Sequence, residues 1–348
     1  MKIPRRTIHL MIGLEGVILA VVLVFSILNP VKKVVADKQD FEYSNPDVIV
    51  QSAETETETE QAAEEEVIVP AIQYTEAVKE KVFSMSMEEK VAQMFVTTPE
   101  QLTGMHQVNV TGNTTKNAIS DIPVGGVVYA SQNFQGPVQT ASMTEALQEY
   151  YMEQFGFSLF LMVAETGGTE HSPLASGCDF PVEKTPEEIG EENNAETAKA
   201  AAANIAAYMQ DQGLNTNIGI QSYSADEEVN TSMLDAALAA YKEAGIYTAT
   251  TVYHGAADII CLGDSQPFSD TVQNLRYEKQ YQGILLANTI ADGQSAVDAI
   301  LAGADMVYCQ NEFKNSYQAV LDAANSGTIN EELINEAVMR ILTCKGYE

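Results

Sequence analysis

Glu165, Thr166, His254 and Asn288 stand where short apolar runs give way to loops, and they are the residues best placed to touch a ligand. Glu165 follows LFLMVA, His254 follows TATTVY and Asn288 follows GILLA. A carboxylate in such a position can meet a ligand hydroxyl; a solvated loop glutamate is the plain alternative, and both readings stay open. His254 could act as an acid or a ligand, but with no carboxylate partner in view its imidazole reads as structural. Asp264 and Asp292 lie just past strand ends and could supply a displaced nucleophile, although their loop-like surroundings favour turn geometry. Asp226-Glu227-Glu228 reads as a solvated turn. Nothing here has metal-ligand spacing: the four cysteines, Cys178, Cys261, Cys309 and Cys344, form no CxxC and have no nearby histidine. Cys261 and Cys309 fall in apolar runs and read as small buried hydrophobes rather than disulfide partners. Gly125-Gly126 and Gly167-Gly168 suit tight turns but make no phosphate-binding motif, so neither metal nor cofactor is expected.

The elements that must position these residues follow one pattern. Beyond residue 70, short apolar runs alternate with helical stretches, as βαβ units do in a parallel sheet. Strands are predicted at Met94–Val96, Gly126–Ala130, Leu159–Ala164, Asn215–Ile220, Tyr247–Val252, Asp258–Leu262, Gly283–Ala287 and Met306–Cys309. Helices are predicted at Val138–Glu153, Thr197–Gln212, Thr231–Glu243 and Gln294–Leu301, with a last one at Glu331–Leu342. Ser86 and Glu89 open the first clear helix as a capping box. Eight strands in about 250 residues fit one α/β domain of the TIM type, a (β/α)8 barrel over residues 71–348. Only Tyr253 to Ala257 separate the fifth and sixth strands, too few for a crossover helix, so the barrel is expected to be locally incomplete there.

The N-terminal part has a different character. Residues 8–28 form an apolar stretch, IHLMIGLEGVILAVVLVFSIL, long enough at ~1.5 Å per residue to cross a ~30 Å hydrocarbon layer, with Glu15 as its flaw. Lys2, Arg5 and Arg6 before it favour a cytoplasmic N-terminus and an extracytoplasmic barrel, in a single-pass protein of the cell membrane. A cleaved signal peptide is the alternative, for which Val34-Val35-Ala36 makes a poor cleavage site. Residues 37–70 include AETETETEQAAEEE, which lacks the apolar surface to offset its ordering entropy and reads as a disordered acidic linker. Residues 1–36, 37–70 and 71–348 carry net charges of +4, −10 and −25. A globular part this acidic repels phosphate backbones, which excludes nucleic acid as a partner.

Several segments together carry a resemblance. MSMEEKVAQMF at 85–95, IPVGGVVYASQNFQGPVQTASMTEALQ at 122–148, LFLMVAETGG at 159–168, ILAGADMVYCQNEF at 300–313 and SGTINEELINEAVMRILTCK at 326–345 run in collinear order. Over about residues 76–345 the chain resembles the N-terminal barrel domain of family 3 glycoside hydrolases, most of all the single-domain bacterial β-N-acetylhexosaminidase branch. The resemblance implies a barrel whose strand C-terminal ends act on β-linked N-acetylglucosamine units of cell-wall glycan. It implies a nucleophilic Asp closing a strand of the form GVVISD, where this sequence has Asn288. It implies a proton-donating His in a loop after a KHFPGHG-like strand end, where this sequence reads TTVYHGAA at 250–257 and enters the next strand at once. The substrate-binding DQEGGR appears as Ala164-Glu165-Thr166-Gly167-Gly168-Thr169, without its acid and its Arg.

Retaining glycosidases need a carboxylate nucleophile and a proton donor on opposite sides of the scissile bond. The sequence therefore supports a degenerate glycosidase domain with no catalytic residue, binding cell-wall glycan or an envelope protein through Glu165, Thr166, His254 and Asn288. The alternative is an active hydrolase of O-glycosyl bonds with an altered mechanism, using Glu165 or Asp264 as the acid. A third reading makes the barrel a rigid spacer on its stalk.

Overall fold

The structure is a computed structural model that describes residues 72–168, 172–181, 184–263, 268–288 and 290–348. The expected membrane span at 8–28, the acidic linker at 37–70 and Asp264 lie outside the described residues. Among the described residues no helix is long and apolar enough to cross a membrane.

Eight parallel strands close into a barrel in sequence order: β1 (Phe95–Thr97), β2 (Gly126–Tyr129), β3 (Phe160–Val163), β4 (Thr216–Ile220), β5 (Tyr247–Thr250), β6 (Ile259–Leu262), β7 (Ile284–Ala287) and β8 (Met306–Cys309). Their residues are apolar runs with little alternation, as expected where one side faces the barrel interior and the other is covered by helices. Helices at Pro137–Phe155, Ala195–Asp211, Glu227–Glu243, Gly293–Leu301 and Phe313–Asn325 form much of the outer layer. Helices Glu76–Ser84, Met87–Gln93 and Glu331–Cys344 pack together, the second leading into β1. Ser86 and Glu89 form the expected reciprocal capping box.

Paired residues share a face and side chains alternate along each strand. Val96, Gly126 and Phe160 are successively paired, and Gly126 abuts the side chains of Val96, Phe160 and Met162, so this parity is the barrel interior. The register carries it around through Thr216, Tyr247, Ile259 and Ile284, then Leu286, Met306 and Tyr308, which pairs back to Val96.

No helix lies between β5 and β6, and the sequence has adapted to that. The outward residues of β5 are Thr248 and Thr250, where a covering helix would call for aliphatic side chains. The Thr248 hydroxyl donates to Asp258 Oδ2 at 2.8 Å, and the Thr250 hydroxyl donates to the Val252 carbonyl at 2.7 Å. The eight-residue connector thus seals this stretch of wall with hydrogen bonds, and both threonines are buried. Asp258, expected as the first residue of the sixth strand, serves as this clasp, and the strand begins at Ile259.

A buried ion-pair cluster ties the starts of β7 and β8 to the outer helices. Asp305 is 2% exposed and receives both Arg276 and Arg340 on its two oxygens, while Leu285 N donates to its Oδ2 at 2.7 Å. Arg276 reaches it from a π-helical turn at Asn274–Glu278, and its guanidinium also donates to the Tyr281 and Gly283 carbonyls. All four cysteines are free, and Cys261 and Cys309 are buried in their strands as the sequence indicates.

Candidate functional site

The C-terminal ends of the strands form the mouth of the barrel, the end at which barrels of this type carry their chemistry. Asn288 follows β7 with the interior parity of Ile284 and Leu286, so its amide is directed to the mouth. Its Oδ1 is buried and accepts no hydrogen bond from the described residues. Leu286 pairs with Met306 and Ala287 with Val307, so the next step of the register sets Asn288 beside Tyr308. Burial pushes the Tyr308 hydroxyl up to about 12, with the nearby Glu100 charge adding to the rise.

Glu100 was not among the sequence candidates. It sits in the first turn of helix Pro99–Thr103, directly after β1, and the Thr98 cap positions that turn by accepting from Gln101 N. Glu100 Oε1 accepts from Asn133 Nδ2 at 2.6 Å and from Val108 N at 3.0 Å, which fixes the carboxylate; Oε2 has no partner among the described residues. The only sequence signal was its distance of three residues past an apolar strand, which many helix-starting glutamates share.

Glu165 lies at the end of β3 but is turned inward and is 1% exposed. Its Oε1 accepts from Gly167 N at 3.0 Å; its Oε2 accepts from the Ser172 hydroxyl at 2.7 Å and from Leu174 N at 3.3 Å. Burial raises its pKa, while these three donors oppose the rise. The backbone behind it is held by Asn217, whose Oδ1 accepts from Glu165 N and Gly219 N and whose Nδ2 donates to Glu165 O and Tyr241 Oη. Gly219 is required there, because a Cβ would lie 2.6 Å from Glu165 N and 2.7 Å from Ala164 C. Glu165 therefore staples its own loop instead of meeting solvent as a loop glutamate would. Thr166 donates to the Gly167 carbonyl at 3.1 Å, in a turn where Gly167 and Gly168 both adopt left-handed φ values of 79° and 74°.

His254 is on the barrel flank, in the connector between β5 and β6. Contrary to the sequence reading, it has a carboxylate partner: Nε2 lies 3.3 Å from Asp235 Oδ1, on helix Glu227–Glu243. Nδ1 accepts from Ala256 N at 3.3 Å. The pair pins the connector to the helix. Asp292 caps helix Gly293–Leu301 by accepting from Ser295 N at 2.9 Å, and that bond holds its carboxyl below the usual range. Asp226 caps helix Glu227–Glu243 in the same way, by accepting from Val229 N. The structure thus brings Asn288, Tyr308 and the β1 end together and leaves His254 apart.

No protein-family model and no curated protein matches the chain. Solved structures do. A family 3 β-N-acetylglucosaminidase from Paenibacillus superposes with a TM-score of 0.66 at 20% identity, covering 76% of this chain and 62% of that one. A fungal multi-domain family 3 β-N-acetylglucosaminidase gives 0.65 at 14% identity, with 75% of this chain on 39% of that one. A β-N-acetylhexosaminidase from Beutenbergia cavernae gives 0.63 at 18% identity, with 75% of this chain on 99% of that one. The chain thus spans less than two thirds of the first two and almost all of the third. Identities this low carry architecture and no more: the barrel of this chain is the fold found in family 3 glycoside hydrolase structures.

Proposed function

We propose that the barrel is a degenerate glycosidase domain that holds cell-envelope glycan at its mouth without cutting it. The apolar segment at 8–28 and the acidic stretch at 37–70 would present it outside the membrane. The observation that carries the reading is Asn288: a neutral amide, with a buried oxygen that has no partner among the described residues, at the strand end where the resemblance implies a nucleophile. An amide is a poor nucleophile and cannot stabilise an oxocarbenium ion as an anion can, a loss of roughly 10⁴ in rate, or about 5 kcal/mol. Among the described sequence candidates, Glu165 is committed to its loop, Asp292 to a helix cap and His254 to the flank. What remains at Asn288 is a neutral amide at the strand end in place of an acid.

A second reading, hydrolysis by an altered route, has one observation in its favour, the unpartnered Oε2 of Glu100 near Tyr308. One experiment separates the two. The full chain is offered cell-wall glycan fragments in a pull-down and a chromogenic N-acetylglucosaminide in a rate assay, from the same preparation. Retention of glycan without turnover is expected. Turnover at rates typical of enzymes, abolished by Asn288→Ala, would refute the binding reading.

A further inference from the structure

Beside the short β5–β6 connector lies a groove of about 550 Å³, between helix Glu227–Glu243, the connector itself and the end of helix Glu331–Cys344. Asp258 and Gly283, which precede β6 and β7, line it and place it at the strand N-terminal ends, away from the mouth. Leu238 and Ala257 are buried in it, while Ala239 and Ala256 are exposed, so it offers small apolar side chains to an occupant. Of its charged groups, Asp235 faces His254, Asp258 accepts from Thr248 and Arg340 is bound to Asp305. Lys242 is exposed and has no ion pair among the described residues.

An apolar groove alone names no occupant, but the course of the chain does. Ile72, the first described residue, already lines the groove, as does Tyr74. Residues 67–71, VIVPA, lie outside the described residues and lead directly into Ile72, and the compact unit that carries the barrel begins at Glu65. Five residues span at most about 17 Å when extended, so the surface within their reach is the one around Ile72. Their types suit an extended course: three are β-branched, and Pro70 fixes its own φ while keeping Val69 out of the helical region. Glu65 and Glu66, just before them, carry the charge that Lys242 lacks. The same VIV triplet also occurs at 48–50, beyond the acidic run, so composition does not choose the occupant and distance along the chain does.

We infer that residues 67–71 lie extended in this groove as a strap of the chain's own, with their apolar side chains on Leu238, Ala239 and Ala257. The strap covers the flank that lacks a crossover helix, and the acidic linker then ends at Glu66 instead of Pro70. This holds whatever the mouth binds.

Cys344 reports on the groove, because it lines it and is half-buried while the other three cysteines are buried. The test follows maleimide labelling of the native full chain, with the Cys344 peptide identified by mass spectrometry. Ile68→Asp with Val69→Asp should raise the labelling rate at least ~10-fold with the circular dichroism spectrum unchanged, because the groove then stands open. The milder pair Ile68→Ser with Val69→Ser should act in the same direction and serves if the acidic pair unfolds. Ile49→Asp with Val50→Asp makes the same change in the upstream triplet and should leave the rate at the wild-type value. The wild-type rate should also stay constant over a ~100-fold range of protein concentration, since the cover is intramolecular. Rates that are equal in all the variants overturn the strap. So does acceleration by the upstream pair, which would make 48–50 the occupant, or wild-type protection that grows with concentration, which would make it a second copy.

Discussion

Lys345 gives the sharpest test of the energetics. It closes helix Glu331–Cys344, is 6% exposed, and donates from Nζ to Gln93 Oε1 at 3.0 Å. Its Nζ lies 4.9, 5.4 and 5.8 Å from the ring centres of Phe160, Phe157 and Tyr151, with no carboxylate bound to it. Burial pulls its pKa from 10.5 down to about 7. Keeping the ammonium there against such a shift costs about 5 kcal/mol, even with the three ring faces around it. In the unfolded chain the amine keeps its proton up to about pH 10, so between about pH 7 and that value the unfolded state binds more protons than the folded one. The group's contribution to stability is thus lowest below pH 7 and improves as the pH rises. Urea unfolding of the wild type and of Lys345→Met, compared from pH 7 to 9.5, should show the wild type gaining about 3 kcal/mol relative to the variant. Stopping at 9.5 avoids the tyrosines, which burial raises above 10 in the folded state. A difference that does not change with pH, or one that shrinks as the pH rises, refutes the account of a buried, caged ammonium.

Three further outcomes are expected. Asp305→Asn, which strips the partner from two buried guanidinium groups, should cost roughly 3–5 kcal/mol and lower the Tm by about 10 °C in a thermal melt. Glu165→Ala leaves three donors unanswered and should cost about 2–3 kcal/mol, with faster hydrogen exchange at the Gly167 and Leu174 amides. Asn288→Asp should raise hydrolysis of a nitrophenyl N-acetylglucosaminide at least ~10-fold, because that leaving group needs no proton, and should leave β-linked glycan uncut; cleavage of the natural linkage would show that a proton donor is present after all.

The architecture was legible because each strand is a short apolar run between turn signals, and the last one, Met306–Cys309, was placed to the residue. The missing crossover could be read from spacing alone, since no helix fits between Tyr253 and Ala257. What stayed hidden depends on side-chain direction. Glu165 could have faced solvent or folded inward, and only the donors brought up by Ser172 and Leu174 decide it. Asp235, the partner of His254, comes from a helix nineteen residues earlier, a contact made by packing and not by pattern. The same holds for the Lys345 cage and for Glu100, whose neighbours come from β2 and β8. The π-helical turn that aims Arg276 left no trace in the periodicity.

The eight-residue link between β5 and β6 also bears on how the barrel assembles. Every other parallel neighbour must wait for a crossover more than twice as long, and each doubling of an intervening loop adds about 0.6 kcal/mol of closure entropy. The pair clasped by Asp258 on Thr248 is therefore the least costly long-range step open to the collapsing chain. It supplies a seam on which β4 and β7 can align, and in native-state exchange its amides should be among the last to open.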